Sequence, residues 1–384
     1  MPEIIYTDHG ATSFPKAPGV SAAMADYIDH VGVNVNRGSY ESACQAEEIV
    51  YETRALACRL FHFDAPARTY FTPGHTYALN QVIRGAVRPG DHMIISPLEH
   101  NAVMRPVTEL QKAGVQVSML PATTDGTVDP GDLARLIRPN TKLAVMVHAS
   151  NVTGTILPIA EIGRICKERG VPLCLDAAQT AGHVPIDFAA LHLSALCVPG
   201  HKGLLGPQGI GIMQLSEDFA KTLSPIVTGG TGSASHSLTQ PSYDPDRFES
   251  GTPNLPGIYG LNAALKFILQ EGVDGLGAHE SALTARFLSG LKSLKGFRIV
   301  GRASAYGRTG VVSLDFSPKD NAEVADRLSE EFGILTRCGL HCAPCAHQAM
   351  DSFPGGTVRF SFGYGNTLPE IDRVLEAIRI ICEE

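Results

Sequence analysis

No segment of this 384-residue chain approaches the ~18 consecutive apolar residues needed to cross a bilayer, so a membrane-embedded protein is not expected. There is no run of five or more basic residues, and a formal net charge of −8 argues against a nucleic-acid surface. Residues 1–8 have neither a basic start nor a long apolar stretch, so no secretory signal is expected. Nine cysteines, an odd number, then read as reduced thiols rather than a disulfide framework, which points to the cytoplasm. Internal repeats and low-complexity tracts are lacking too. With 44% hydrophobic and 18% charged residues the composition is that of a soluble globular protein. Its length suffices for one large and one smaller domain, each with its own core.

What the chain does carry is chemistry at the ends of apolar runs. Residues 193–198 read as a buried strand that breaks at Pro199-Gly200, presents His201-Lys202 and resumes as a second apolar strand over 209–213. Lysine is rarely drawn inside a protein without a partner. One reason to put it on a glycine-rich turn between buried strands is to hold an aldehyde cofactor as a Schiff base, with the amine pKa lowered by burial. A solvated loop lysine is the plain alternative. Upstream, residues 171–176 form an apolar strand ending in Asp176, with Gln179 three positions on. A carboxylate at the carboxyl end of a strand in an open α/β sheet faces the ligand crevice. Pyridoxal phosphate needs such a group, because a carboxylate on its pyridine nitrogen keeps the ring protonated and makes it an electron sink. A helix cap after the strand is the alternative for Asp176. Asp176 and Lys202 together make the cofactor reading stronger than either does alone.

The pair Asp176-Ala-Ala-Gln179 and Gly200-His201-Lys202 resembles the pyridoxal phosphate signature of the class V aminotransferase superfamily. The nearer similarity is to its SUF-like branch of cysteine desulfurases and selenocysteine lyases, and it extends from Asp8 to Asn366. The resemblance implies an α/β protein of fold type I, with a mostly parallel central sheet flanked by helices and a smaller α+β domain. The expected division is a large domain over 15–260 and a small one formed by 1–14 with 261–384. It implies that Lys202 carries the cofactor and moves the Cα proton, and that His100 of Glu99-His100-Asn101 stacks on the ring. Asp176 would pair with the ring nitrogen, Gln179 and Asn151 would hold its oxygen, and His201 would contact the cofactor. Gly74, His75 and Thr76 would receive the phosphate, and Gly230-Thr231 would reach the phosphate of a neighbouring subunit, making a homodimer with shared active sites. His9 and Gly10 depart from the family's Asp-Asn-Ala-Ala-Thr, and Pro199 replaces a hydroxyl residue that contacts phosphate. His75 stands where relatives carry a small hydroxyl or alanine and is expected to compensate. The segment around Arg37-Gly38 resembles the family's Asn-x-x-Arg-Gly.

Strand and helix patterns alternate along the chain: strands over 69–72, 92–96, 115–120 and 142–148, and helices over 41–61, after Thr76 through about 87, from 102 and over 130–136. That alternation implies parallel strands with right-handed crossovers and a ligand at their carboxyl edge, where the candidates all fall. The turn at Pro73-Gly74 leading into a helix is itself an anion site, since free N–H groups and the helix dipole face outward.

Arg337-Cys338-Gly339-Leu340-His341-Cys342-Ala343-Pro344-Cys345 resembles the Arg-x-Gly-x-His-Cys-Ala loop of SUF-like desulfurases, which puts their nucleophile at Cys342. A thiolate there would take the sulfur of L-cysteine, or the selenium of L-selenocysteine as the alternative substrate, and leave alanine. Arg337, among the substrate-binding candidates, and His341 would supply positive potential. Two other readings stand beside this one: a Cys-x-x-Cys redox pair at Cys342 and Cys345, and an iron–sulfur site on Cys338, Cys342 and Cys345. Cys338 and Cys345 read as passive apolar residues, although Cys345 would be close enough in sequence to accept sulfur from Cys342. Arg359 is the candidate clamp for an amino-acid carboxylate, by bidentate pairing. No metal is expected, and the remaining alternatives are another C–S lyase, a transaminase or a non-catalytic sulfur-trafficking protein.

Overall fold

The computed structural model describes residues 3–35, 38 and 40–384; Arg37 lies outside them. The chain begins with the short strand β1 (Ile5–Tyr6) and helices α1 (Val20–Asp26) and α2 (Glu41–Leu60). Strands and helices then alternate as β2 (Thr69–Thr72), α3 (His75–Ala86), β3 (His92–Ile95), α4 (Asn101–Lys112), β4 (Gln116–Met119), α5 (Pro130–Leu136), β5 (Thr141–Val147), α6 (Ile159–Glu168) and β6 (Leu173–Asp176). β7 (Ala195–Pro199), β8 (Gly211–Leu215), α7 (Glu217–Thr222), α8 (Leu255–Glu271) and α9 (Val273–Leu291) follow. The last part holds β9 (Arg298–Val300), β10 (Val311–Asp315), α10 (Asn321–Phe332), β11 (Ile334–Leu335), β12 (Arg337–Gly339), α11 (Pro344–Ala349), β13 (Thr357–Ser361) and α12 (Leu368–Glu383).

Seven strands form the large sheet in the order β2-β8-β7-β6-β5-β3-β4. Only β8 runs against the others, pairing antiparallel with β2 and β7. The strands β5 to β8 are apolar at nearly every position because helices cover both sheet faces. Leu173, Leu175, Leu196, Val198 and Ile212 pack in one core, while Cys174, Ala195, Cys197, Met213 and Leu215 pack in the other. The period of two carries past Cys174 to Asp176, whose side chain thus lies on the face covered by α3 and α4. α8 packs on α1 and α2 in the first core, and the boundary expected at 260 falls inside this helix, since its apolar residues continue on both sides of that position. A third core joins Ile5 to residues of α9, α10 and α12 around the antiparallel sheet β12-β13-β10-β9. The alternation as read from sequence leaves 156–170 without an element. α6 stands there, and its Ile159, Ile162, Ile165 and Cys166, at helical spacing, were the available signal.

The small sheet is tied to the large one beside the β5 carboxyl end. Ser313 Oγ donates to Val152 O at 2.6 Å, and Arg308 Nη2 to Thr153 O at 2.8 Å. These bonds bring β10 and β13, and so Arg359, up to the edge where the large sheet presents its candidates. No helix among the described residues is long and apolar enough to cross a membrane.

Candidate active site

A cavity of about 410 Å³ opens at the carboxyl edge of the large sheet. Its wall includes Gly74, His75 and Thr76 after β2, His100 after β3, Asn151 after β5, Asp176 and Gln179 after β6, and His201 and Lys202 after β7. These are the expected cofactor residues apart from Gly230 and Thr231. They come from the connections that follow β2, β3, β5, β6 and β7, and the sheet gathers them because those five strands run parallel and end on one side.

The Lys202 side chain makes no hydrogen bond or ion pair with any described residue. Burial, against the opposing pull of Asp176, brings its amine down to about 8. Asp176 is buried, and burial alone would raise its carboxyl; His75, the Ala178 N–H and His100 outweigh that and leave it at about 2. Its Oδ1 accepts from His75 Nε2 at 2.8 Å and from the Ala178 N–H at 2.9 Å, a local turn rather than a helix cap. His100 is held near 4 by burial and by the Lys202 charge, so its ring is neutral. Its Nδ1 accepts the Ala102 N–H at 3.0 Å and caps α4, which leaves the proton on Nε2. Helix α3 has no side-chain cap, and Gly74 before it has φ +145°, a conformation that L side chains avoid. The first N–H groups of that helix are therefore free for an anion.

Several expected contacts differ in the structure. The His75 side chain is taken by Asp176, so only its backbone N–H belongs to the anion cradle, and it does not replace the hydroxyl missing at Pro199. Gln179 Nε2 donates to Gly10 O at 3.0 Å, and Asn151 Nδ2 to His341 O at 2.7 Å. His201 Nδ1 lies 3.0 Å from Thr12 Oγ1. His148 pairs with Thr180 Oγ1 at 2.9 Å and not with Asn151. Gly230 is exposed and Thr231 lines a separate cavity of about 690 Å³, which shares Pro73, Tyr77, Gly209 and Ile210 with the first. His9 lies on the other side of Lys202, in a smaller cavity with Gln179 and His183. It is buried, its Nε2 has no partner among the described residues, and burial lowers it to about 4.

Arg359 lies in the middle of β13, fully buried. Its Nη2 pairs with Asp8 Oδ1 at 2.6 Å, Nη1 donates to Asn151 O at 3.2 Å, and Nε has no partner among the described residues. Gly10 lies close against this guanidinium: a Cβ there would stand 3.1 Å from Arg359 Cζ and 3.2 Å from Ser361 Oγ. The glycine makes room for the guanidinium.

The cysteine segment is more structured than a loop, since β12 precedes it and α11 follows it. His341 and Cys342 between them both adopt left-handed backbone, with φ +49° and +58°. Two adjacent non-glycine residues in that region hold roughly 1–2 kcal/mol of strain each, which the surroundings must over-determine. They do so through Asn101 N donating to Cys342 O at 2.7 Å and through the Asn151 bond to His341 O. Arg337 Nη2 lies 3.6 Å from Cys342 Sγ. His341 supplies no charge: burial, reinforced by Arg359, takes it to about 2, and its Nε2 sits 2.9 Å from Thr357 Oγ1. Arg337 is thus the cation at the thiol. Burial raises the thiols of Cys338 and Cys345, which fits passive residues. No group of three or more potential metal ligands gathers among the described residues, so the three cysteines do not converge as an iron–sulfur site would require.

Two residues escaped the sequence reading. Asp8 meets Arg359 across a separation of 351 positions, for which no local signal exists. Glu99, read only as a flank of His100, is wholly buried: burial and the Asp176 charge raise it to about 8, and Oε1 accepts from Ser96 Oγ at 2.6 Å and Val147 N at 2.7 Å.

The class-V aminotransferase family profile matches residues 5–374. The chain belongs to that family. It is 32% identical over 385 residues to a probable cysteine desulfurase of Methanothermobacter thermautotrophicus, covering 98% of this chain and 94% of that protein. It is likewise 32% identical over 386 residues to a cysteine desulfurase of Escherichia coli O157:H7, covering 98% and 93%. The apo structure of a cysteine desulfurase from Thermococcus onnurineus superposes with a TM-score of 0.93 at 31% identity, covering 99% of this chain and 95% of that one. Class-V aminotransferases are pyridoxal phosphate enzymes. The residues present fit that group: a partnerless amine at Lys202, an ionised buried carboxylate at Asp176, a neutral ring at His100 and the uncapped start of α3 share one cavity.

Proposed function

We propose that this protein is a cysteine desulfurase, converting L-cysteine to L-alanine and taking the sulfur onto Cys342 as a persulfide. The observation that carries this reading is the strained Cys342 turn, bound to Asn101 beside His100 and to Asn151 in the cavity wall, with Arg337 at the sulfur. The relatives named cysteine desulfurases, similar over nearly the whole chain, support it. When bound, pyridoxal phosphate supplies an electron sink for the pair left at Cα after an amino acid loses its proton. Asp176 would hold the charge opposite the ring nitrogen, His100 would cover the ring face, and the α3 N-terminus with Gly74 and Thr76 would hold the phosphate. Asn151 and Gln179, each with one amide hydrogen on a backbone carbonyl, would give the other to the ring oxygen, and His201 would lie along the cofactor.

Lys202, with its amine near 8 and no competing partner, is suited to take and return the proton at Cα. Arg359 would bind the substrate carboxylate with the N–H groups that Asp8 does not occupy, and His9 would line the substrate side. The Cys342 thiolate attacks the substrate sulfur: the new S–S bond forms as the Cβ–S bond breaks, and the three-carbon remainder takes up a proton and leaves as alanine. Gly230 is exposed and Thr231 lines the adjoining cavity, neither on the wall of this one, which supports a homodimer in which they reach the cofactor of a second copy. Nine free thiols support a cytoplasmic location. The same reading assigns the cofactor to a large domain and the nucleophile to a smaller one, divided beyond α8.

The test is alanine and sulfide release from L-cysteine by wild type and Cys342→Ala. We expect the variant to lose turnover by roughly 10³-fold or more while still binding the cofactor. Alanine release at the wild-type rate would overturn the persulfide. Continued processing of L-selenocysteine alone would move the assignment to a selenocysteine lyase, and an absorbance band unmoved by L-cysteine would indicate a non-catalytic protein.

A further inference from the structure

We propose that His75 is a positioning residue that holds the Asp176 carboxylate in place for the cofactor ring nitrogen, and so secures the cofactor by its ring and not by its phosphate. This rests on the reading of the cavity as a pyridoxal phosphate site. His75 is the first residue of α3, with its backbone in the anion cradle, yet its side chain turns to the opposite end of the site. Nε2 donates to Asp176 Oδ1 at 2.8 Å, with the two side chains 12% and 2% exposed.

Asp176 Oδ1 is saturated by His75 and the Ala178 N–H, which fixes the carboxylate plane and leaves the other oxygen for the ring. A hydrogen bond to a buried charge is among the stronger ones, and removing its donor leaves the charge underpaired. The other titratable groups around Asp176 do not replace it. Burial keeps Glu99 protonated and His100 neutral, Cys174 also stays protonated, and Lys202 contributes positive potential without bonding to the carboxylate. His75 Nδ1 is buried and has no partner among the described residues, so the imidazole is committed to Asp176 through one atom.

The experiment measures binding of pyridoxal 5′-phosphate and of pyridoxal, which lacks the phosphate, to the apoprotein by absorbance. Five proteins are compared: wild type, His75→Ala, His75→Gln, Asp176→Asn, and His75→Ala combined with Asp176→Asn. His75→Ala should weaken both ligands by ~10-fold or more, the factor expected for a lost bond to a charged group. His75→Gln, whose amide can return an N–H, should recover most of the loss. In the Asp176→Asn background the His75→Ala change should have no further effect. The proposal is overturned if only the phosphorylated ligand is weakened, if the loss persists without the Asp176 charge, or if His75→Gln is as weak as alanine. A wild-type protein that binds neither ligand sinks the cofactor reading itself, a different result from any of these.

Discussion

The cofactor cavity and the Cys342 segment are built in opposite ways. The cavity is assembled from strand ends of one sheet, with core residues on both faces. His75, Asp176 and His100 bond within the sheet connections, while Gln179 and His201 bond to the N-terminal segment and Asn151 to His341. The Cys342 segment belongs to the other sheet, carries two adjacent left-handed residues, and is held against the cavity by two hydrogen bonds to it. A preformed pocket suits a group that stays bound. A tethered, strained turn suits a nucleophile that must leave its first contact to pass sulfur onward.

The sharpest way to break this contrast is Lys202→Ala. Alanine release from L-cysteine should fall by about 10³-fold or more, while iodoacetamide labels Cys342 at the wild-type rate. A parallel loss of labelling would mean that the two regions are not separable. Arg337→Gln works from the other side. Removing a cation 3.6 Å from Sγ should slow Cys342 alkylation at neutral pH about fivefold, the weight of ~1 kcal/mol, with cofactor affinity unchanged. An affinity that fell with it would tie Arg337 to the cavity instead.

Glu99→Gln should affect turnover least and instead test the cavity's rigidity through pH. The folded protein holds the Glu99 proton up to about 8 against an ordinary 4.5, so its contribution to stability is present in full below 4.5 and is lost as pH rises to about 8. The apoprotein melting temperature should therefore decline across that window in wild type, less the part owed to other groups. The glutamine variant keeps an acceptor without the titration and should decline less. Equal slopes would count against a buried, protonated Glu99.

The two regions also differed in how far sequence could describe them. Lys202, Asp176, Gln179 and His100 stand next to breaks in apolar runs, so their place at strand ends followed from local pattern. The Cys342 motif was legible as a motif, but its neighbours were not: His341 looked like a source of charge, and burial in the core, reinforced by the Arg359 charge, keeps it neutral. His75 looked like a phosphate ligand because its position in the turn was visible and its direction was not. Its side chain crosses to a carboxylate 101 positions away.

By itself, the chain's order of residues determined the sheet, since apolar runs buried on both faces and glycine turns require only local information. It determined also which side chains stand at the carboxyl edge, because each follows its own strand. Tertiary structure alone decided what those side chains touch. Asp8 on Arg359, Arg337 on Cys342 and Asn151 on the His341 carbonyl all depend on how one sheet docks against the other or how a short segment folds back. Burial then set the charges of Lys202, Glu99 and His341, since the free energy of an ionised group depends on what surrounds it and not on its place in the chain.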